Sequence, residues 1–116
     1  MRLRSEVWVK AFLRRLQGEG VPAVIVRRGN AEAGAIFICI NCLDGTARLF
    51  GPAPAGLSVS DTERRFTPLL GGSPKPERDV SEYLMRQAEF DSDIWVVEAE
   101  DRAGRSFLED WLARDD

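Results

Sequence analysis

The sequence predicts an α+β fold, two-layered, with a mainly antiparallel sheet and the element order α-β-β-β-(β)-α-β-α. Three observations carry that prediction. Val9, Phe12, Leu13 and Leu16 fall at i, i+3, i+4 and i+7, one apolar stripe of a helix. Ala35 to Cys42 is an unbroken, mostly apolar run that leads through Asp44-Gly45 into Ala47-Arg48-Leu49-Phe50, the pattern of a β-hairpin. A second helical stripe, Val80, Tyr83, Leu84 and Ala88, stands just ahead of the strand-like Ile94-Trp95-Val96-Val97.

Taken in order, Ser5 is placed to cap the first helix, and Trp8 flanks its stripe. Gly18-Glu19-Gly20 followed by Pro22 predicts its end, because glycine takes the left-handed cap and proline prevents continuation. Ala23-Val24-Ile25-Val26 reads as a strand, and Gly29 to Gly34 as a loop into the central hairpin. The three successive strands are then expected to pair as an antiparallel meander. In the first hairpin strand Ile36, Ile38, Ile40 and Cys42 face one way, and Ala35, Phe37, Cys39 and Asn41 the other. Both faces are largely apolar, so this strand should be central and covered on both sides. Asp44-Gly45 suits a tight type I′ turn.

Gly51-Pro52-Ala53-Pro54-Ala55-Gly56 reads as an extended loop within the fold. Residues 63–67 are a possible fourth strand that Pro68 confines to an edge or a strand end. Gly71 to Pro76 has the most flexible composition in the chain. Asp79 and Glu82 have capping-box spacing for the second helix, as do Ser106 and Glu109 for a short helix over 106–113, the alternative being that Arg105 to Leu108 pairs back as a strand. The second face of the central strand needs a cover, either that C-terminal helix with Trp111 or a second copy of the chain.

The 116 residues are expected to form one domain, 1–116, long enough to bury roughly two-thirds of the unfolded surface. Apolar residues at 44% and charged ones at 30% are those of a globular chain rather than a disordered one. Residues 1–58 carry eight Lys/Arg against four Asp/Glu (+4) and residues 59–116 eight against fifteen (−7), which predicts halves that complement each other electrostatically. Lys10, Arg14 and Arg15 interrupt any signal-peptide core, and no apolar run approaches the ~20 residues of a spanning helix. A cytoplasmic setting is the expectation, which the two cysteines fit.

The chain has no histidine. That removes the commonest general base near neutral pH, the Ser-His-Asp and Cys-His arrangements, and every His-containing metal site. Cys39-Ile40-Asn41-Cys42 has C-x-x-C spacing, but on a strand the two thiols face opposite ways, roughly 10 Å apart. Gly29 to Gly34 has the glycine spacing of a phosphate loop without its Lys and Ser/Thr, and leads into a strand rather than a helix. No cofactor is expected.

Two surfaces remain as candidates. Glu98 and Glu100 project from one strand face and, with Asp101, are candidate oxygen ligands for a hard metal ion in a hydrolase or nuclease. The acidic-x-Lys signature of αβββαβ nucleases is absent, since Thr46-Ala47-Arg48-Leu49 stands in its place. Arg4, Lys10, Arg14, Arg27 and Arg28 are candidates for an anionic surface, nucleic acid or membrane, of which nucleic acid is disfavoured by the net charge of −3.

Leu3-Arg4-Ser5-Glu6-Val7-Trp8-Val9, Gly34-Ala35-Ile36-Phe37, Leu43-Asp44-Gly45-Thr46-Ala47 with Leu49-Phe50-Gly51-Pro52-Ala53-Pro54, Glu77-Arg78-Asp79 and Asp93-Ile94-Trp95-Val96-Val97-Glu98 together resemble an alphaproteobacterial domain-of-unknown-function family, number 1491. The resemblance covers nearly the whole chain. It implies a bacterial cytoplasmic setting and no assigned activity, so it supplies no catalytic or binding residue. The function that follows is a non-catalytic binding or interaction module, a homo-oligomer or one with an unidentified protein partner.

Overall fold

A computed structural model describes residues 2–54 and 64–113 of the chain. Two helices and six strands follow in the order α1 (Ser5–Gly18), β1 (Ala23–Arg27), β2 (Ile36–Asn41), β3 (Thr46–Pro52), β4 (Phe66–Pro68), β5 (Lys75–Pro76), α2 (Glu77–Phe90) and β6 (Trp95–Glu100). A 3-10 turn, Glu109–Trp111, closes the described chain. The α+β class and the mainly antiparallel sheet are those the sequence predicts.

The strand order is β1-β6-β2-β3-β4, with β5 pairing β3. The first three strands are therefore not a meander: β6 lies between β1 and β2, antiparallel to the first and parallel to the second. The reason is burial. Ile94 to Val97 is as apolar on both faces as β2 and is buried throughout, whereas β1 alternates between half-buried and exposed positions, the pattern of an edge. Two doubly apolar strands take the centre, and β1 is displaced outward.

The loop from β1 to β2 must then step over the start of β6. It does so by backbone contact: a Cβ on either Gly29 or Gly34 would lie 2.2 Å from the Asp93 carbonyl oxygen. The Asn30 N–H donates to that carbonyl at 2.9 Å, and the Trp95 indole N–H to the Asn30 carbonyl at 2.8 Å. These glycines serve a close crossing, not a hairpin loop.

The layering is sharper than two layers, because the helices take opposite faces. Ile36, Ile38 and Ile40 pack with Trp8, Val9, Phe12 and Leu16 of α1, while Phe37 and Cys39 pack with Val80, Tyr83 and Leu84 of α2. The second face of β2 is thus covered by α2. Trp111 lies instead against α1, its ring centroid 5.1 Å from that of Trp8. The case for a second copy over that face falls away.

Local signals hold in part. Gly20 (φ +76°) ends α1 in a Schellman motif, with Val21 N–H on the Leu16 carbonyl and Gly20 N–H on that of Gln17. Ser5 is not the cap. It lies inside the helix, buried, and its hydroxyl donates to the Gly34 carbonyl at 2.6 Å. The first-turn N–H groups of Ser5 and Glu6 donate to the carbonyls of Glu32 and Ala31. α2 begins at Glu77, two residues before the predicted Asp79 cap, with its first N–H on the Gly45 carbonyl.

The hairpin turn spans Leu43-Asp44-Gly45, with Leu43 and Gly45 at positive φ, so the connection is three residues rather than a type I′ pair. Asp44 accepts from the backbone and hydroxyl of Thr46. β4 is an edge strand ending at Pro68, as expected, although Glu63 of the predicted span lies outside the described residues, as do Ala55 and Gly56 of the proline loop. Residues 71–76 are pinned rather than loose, through β5 and an Arg48 bond to the Gly72 carbonyl. No helix forms over 106–113 beyond the 3-10 turn. Phe107 and Glu109 adopt positive φ, which turns the Phe107 ring into the core and breaks the helical path.

Candidate anion-binding site

At the head of α1 the chain leaves a cavity of about 310 Å³. Its floor is Ile36 of β2 and Phe66 of β4, and Leu3, Ala33, Ala35 and Pro52 form apolar walls. Among the described residues three arginines, Arg2, Arg4 and Arg64, and one carboxylate, Glu32, line it. The positions follow from the fold. The β1–β2 loop carries Glu32 and Ala33 to the helix start because its carbonyls accept the first α1 N–H groups. Arg64 precedes β4, which pairs with β3 on the far side.

Arg64 is the unusual member. Among the described residues it and Ser5 are the polar residues buried, Arg64 at 9% exposure. Its Nη2 donates to the Leu3 carbonyl at 2.9 Å, while its Nε is buried with no hydrogen-bond partner. Burial, and then the like charge of Arg2, push its pKa down to about 10, so it stays a cation at neutral pH. No carboxylate among the described residues pairs with it. Arg4 is half neutralised by contrast, its Nη1 lying 3.0 Å from Glu32 Oε1.

Of the sequence candidates, Arg4 lines this cavity and the others are dispersed. Lys10 and Arg28 share Glu6, at 3.8 and 3.5 Å, and Arg28 also lies over the Trp95 ring. Arg27 donates to the Ser92 carbonyl at 3.0 Å. Arg14 is exposed on α1. Arg64 and Glu32 were not legible as site residues: the first reads as one of a surface pair of cations, Arg64-Arg65, the second as a loop charge.

The acidic candidates are not gathered into a site. Glu98 is half-buried on β6, level with Val24 and Cys39, and Glu100 is exposed and level with Asn41. Asp101 is committed elsewhere: its carboxylate accepts from Arg105 Nη2 at 2.8 Å, from Arg105 Nε at 3.2 Å and from the Arg105 backbone N–H. Those bonds hold its carboxyl below the usual carboxylate range. Among the described residues no group of three or more Cys, Asp or Glu is placed to hold a metal ion. Cys39 and Cys42 are free and buried, Cys39 within the cluster under α2 and Cys42 just beyond the end of β2. Burial, reinforced by the charges of Glu98 and Glu77, pushes the Cys39 thiol up to about 12.

The two oppositely charged halves are joined in an unexpected way. Each ion pair among the described residues links partners from the same half. Arginine bonded to backbone carbonyl recurs between the halves, in Arg15 to Phe107, Arg27 to Ser92, Arg48 to Gly72 and Gly104, and Arg64 to Leu3, beside the Asn41 amide on Glu77 and the Trp95 indole on the Asn30 carbonyl. No helix among the described residues is long and apolar enough to cross a membrane.

No curated protein matches the chain. Among solved structures, the crystal structure of a DUF1491 family protein from Caulobacter crescentus CB15 is similar at 36% identity and a TM-score of 0.78, over 98% of this chain and 100% of that one. The NMR structure of a DUF1491 family protein from the same organism is similar at 39% identity and a TM-score of 0.77, over 98% and 99%. The solution structure of protein Atu0922 from A. tumefaciens is similar at 39% identity and a TM-score of 0.72, over 86% of each chain. The model of a family described as "Protein of unknown function (DUF1491)" matches residues 3–109, and the chain belongs to that family.

Proposed function

We propose that this protein is a non-catalytic binding module that receives an anionic group at the head of α1. The observation that carries the reading is Arg64, a buried cation with no carboxylate partner among the described residues and a partnerless Nε, whose side chain lines a cavity together with Arg2 and Arg4. A buried unpaired charge is unfavourable by several kcal/mol, and an incoming anion relieves that directly. Guanidinium groups present planar forks suited to phosphate and carboxylate oxygens. Among the described residues Glu32 is the one carboxylate lining the cavity, and it is tied to Arg4.

The reading that uses the basic face of α1 is weaker, because Lys10 and Arg28 meet at Glu6. The metal-hydrolase reading is weaker too, because Asp101 is occupied by Arg105.

Thermal unfolding at low ionic strength tests the proposal. Inorganic phosphate should raise the Tm of the wild-type protein in a saturable way, and Arg64→Met should abolish the rise. A wild-type Tm indifferent to phosphate, or an equal rise in the variant, would sink it.

A further inference from the structure

We propose that the anion received at this site is the head of a small organic phosphate monoester, with its apolar body seated against the exposed wall of Leu3, Ala33 and Pro52. The inference rests on the anion-binding reading above and narrows its ligand. Charge comes first. Among the described residues three arginines against Glu32 leave the lining two positive charges in excess. A phosphate monoester, at about −2 above its second pKa of about 6, balances them, whereas a carboxylate leaves one unmatched. Arg64 keeps its proton throughout that range, its pKa lying at about 10.

Shape comes second. A cavity of about 310 Å³ is at the lower end of small-molecule sites, which run from about 300 to 1,000 Å³. Inorganic phosphate fills only part of it and leaves the exposed apolar wall of Leu3, Ala33 and Pro52 unused, while Ile36 and Phe66 behind that wall are 1% exposed and offer almost no surface of their own. Leu3, half exposed at the rim, adds an apolar contact that a ring or short alkyl group covers. A head-and-body ligand uses both the charged and the apolar sides of the site, and a bare ion or an uncharged ring uses one.

Calorimetric titration of the full chain at pH 8 and low salt, with phenyl phosphate, inorganic phosphate and benzoate as probes, decides the matter. Phenyl phosphate should bind about tenfold more tightly than either of the others. Arg64→Met should remove binding of both phosphates. Leu3→Ser changes only a rim side chain and keeps the backbone carbonyl that Arg64 uses. It should reduce phenyl phosphate affinity several-fold while leaving inorganic phosphate unchanged. Benzoate or inorganic phosphate binding as tightly as phenyl phosphate overturns the monoester assignment and leaves the anion site standing. An absence of binding by all three probes overturns both.

Discussion

Arg48 and Arg64 are both arginines held beside the sheet, and they are used in opposite ways. Arg48, on β3, lies over the Phe50 ring at 4.8 Å and gives Nε to the Gly72 carbonyl at 2.8 Å and Nη1 to the Gly104 carbonyl at 2.7 Å. Its donors join three segments far apart in sequence: the hairpin, the loop before β5 and the turn after β6. Arg64 gives one bond, to the Leu3 carbonyl, leaves its buried Nε without a partner, and lines a cavity with two more arginines. The same side chain is a staple in the first place and an unmet charge in the second. Arg27 also has a partnerless Nε, but Arg64 is the one of the two that is buried as a whole and lines a cavity, where a ligand has most to offer.

The largest effect is expected where the staple is removed. Arg48→Ala leaves the Gly72 and Gly104 carbonyls without their donor and strips the cation from the Phe50 face, which should lower stability by about 2–3 kcal/mol in urea unfolding. The close neighbourhood gives little room to compensate, since a Cβ built on Gly104 would stand 3.2 Å from Arg48 Cδ and 3.4 Å from Cys42 Sγ. A loss below about 0.5 kcal/mol, the range of ordinary surface substitutions, would place Arg48 with the dispensable surface cations and erase the contrast.

Asp101 and Arg105 extend the comparison to a cation satisfied by a carboxylate. Asp101 is nearly covered, its side chain 10% exposed, while Arg105 is mostly in solvent, so screening keeps the pair modest. Asp101→Ala should lose about 1–2 kcal/mol at pH 7. The pH dependence follows from the sign of the shift. Bonds from the Arg105 side chain and backbone hold the Asp101 carboxyl below its ordinary 3.8, so the folded state favours the ionised form. That stabilisation is fully present above the unfolded value and is lost as pH falls through the lower, folded one. The gap between wild type and Asp101→Ala should therefore be constant from pH 7 down to about 5 and shrink below about 4. A gap independent of pH over that range would mean that packing, not charge, holds this turn.

How much of this could be read from the sequence depends on the range of the interaction. α1, its glycine stop, the stripe of α2 and the hairpin are set by neighbours a few residues away, and those were legible. The doubly apolar character of β2 was legible as well. The same pattern in Ile94 to Val97 was the signal that β6 shares the centre, but pairing neighbours in sequence is the usual rule and hides the insertion. Ser5 and Ser106 have capping chemistry in the sequence, yet Ser5 was drawn inward by the Gly34 carbonyl and the Phe107 turn broke the helix that Ser106 would start. These are tertiary overrides of local preference. Within the candidate site Arg4 was legible from its place beside a helix start. Arg64 was not, because nothing local distinguishes a buried arginine from an exposed one. Its burial is a product of the tertiary fold, in which it meets the Leu3 carbonyl just ahead of α1.

The smallest change in stability is expected at Arg64, and its sign is what matters. Arg64→Met keeps the length and apolar stem of the side chain, forfeits one bond to the Leu3 carbonyl and removes a desolvated cation that lies near Arg2. The lost bond to a charged donor is worth about 1.5–3 kcal/mol. Removing an uncompensated buried charge returns a comparable amount. The two nearly cancel, so the variant without added anion should unfold within about 1 kcal/mol of the wild type, and on the stable side of it where the desolvation term is larger. Urea unfolding of the two proteins in a buffer free of multivalent anions provides the measurement. A loss as large as that of Arg48→Ala would show that Arg64 is a second staple, held for architecture. A near-neutral change means that the fold itself gains little from this charge, which leaves the charge to be explained by what the cavity binds.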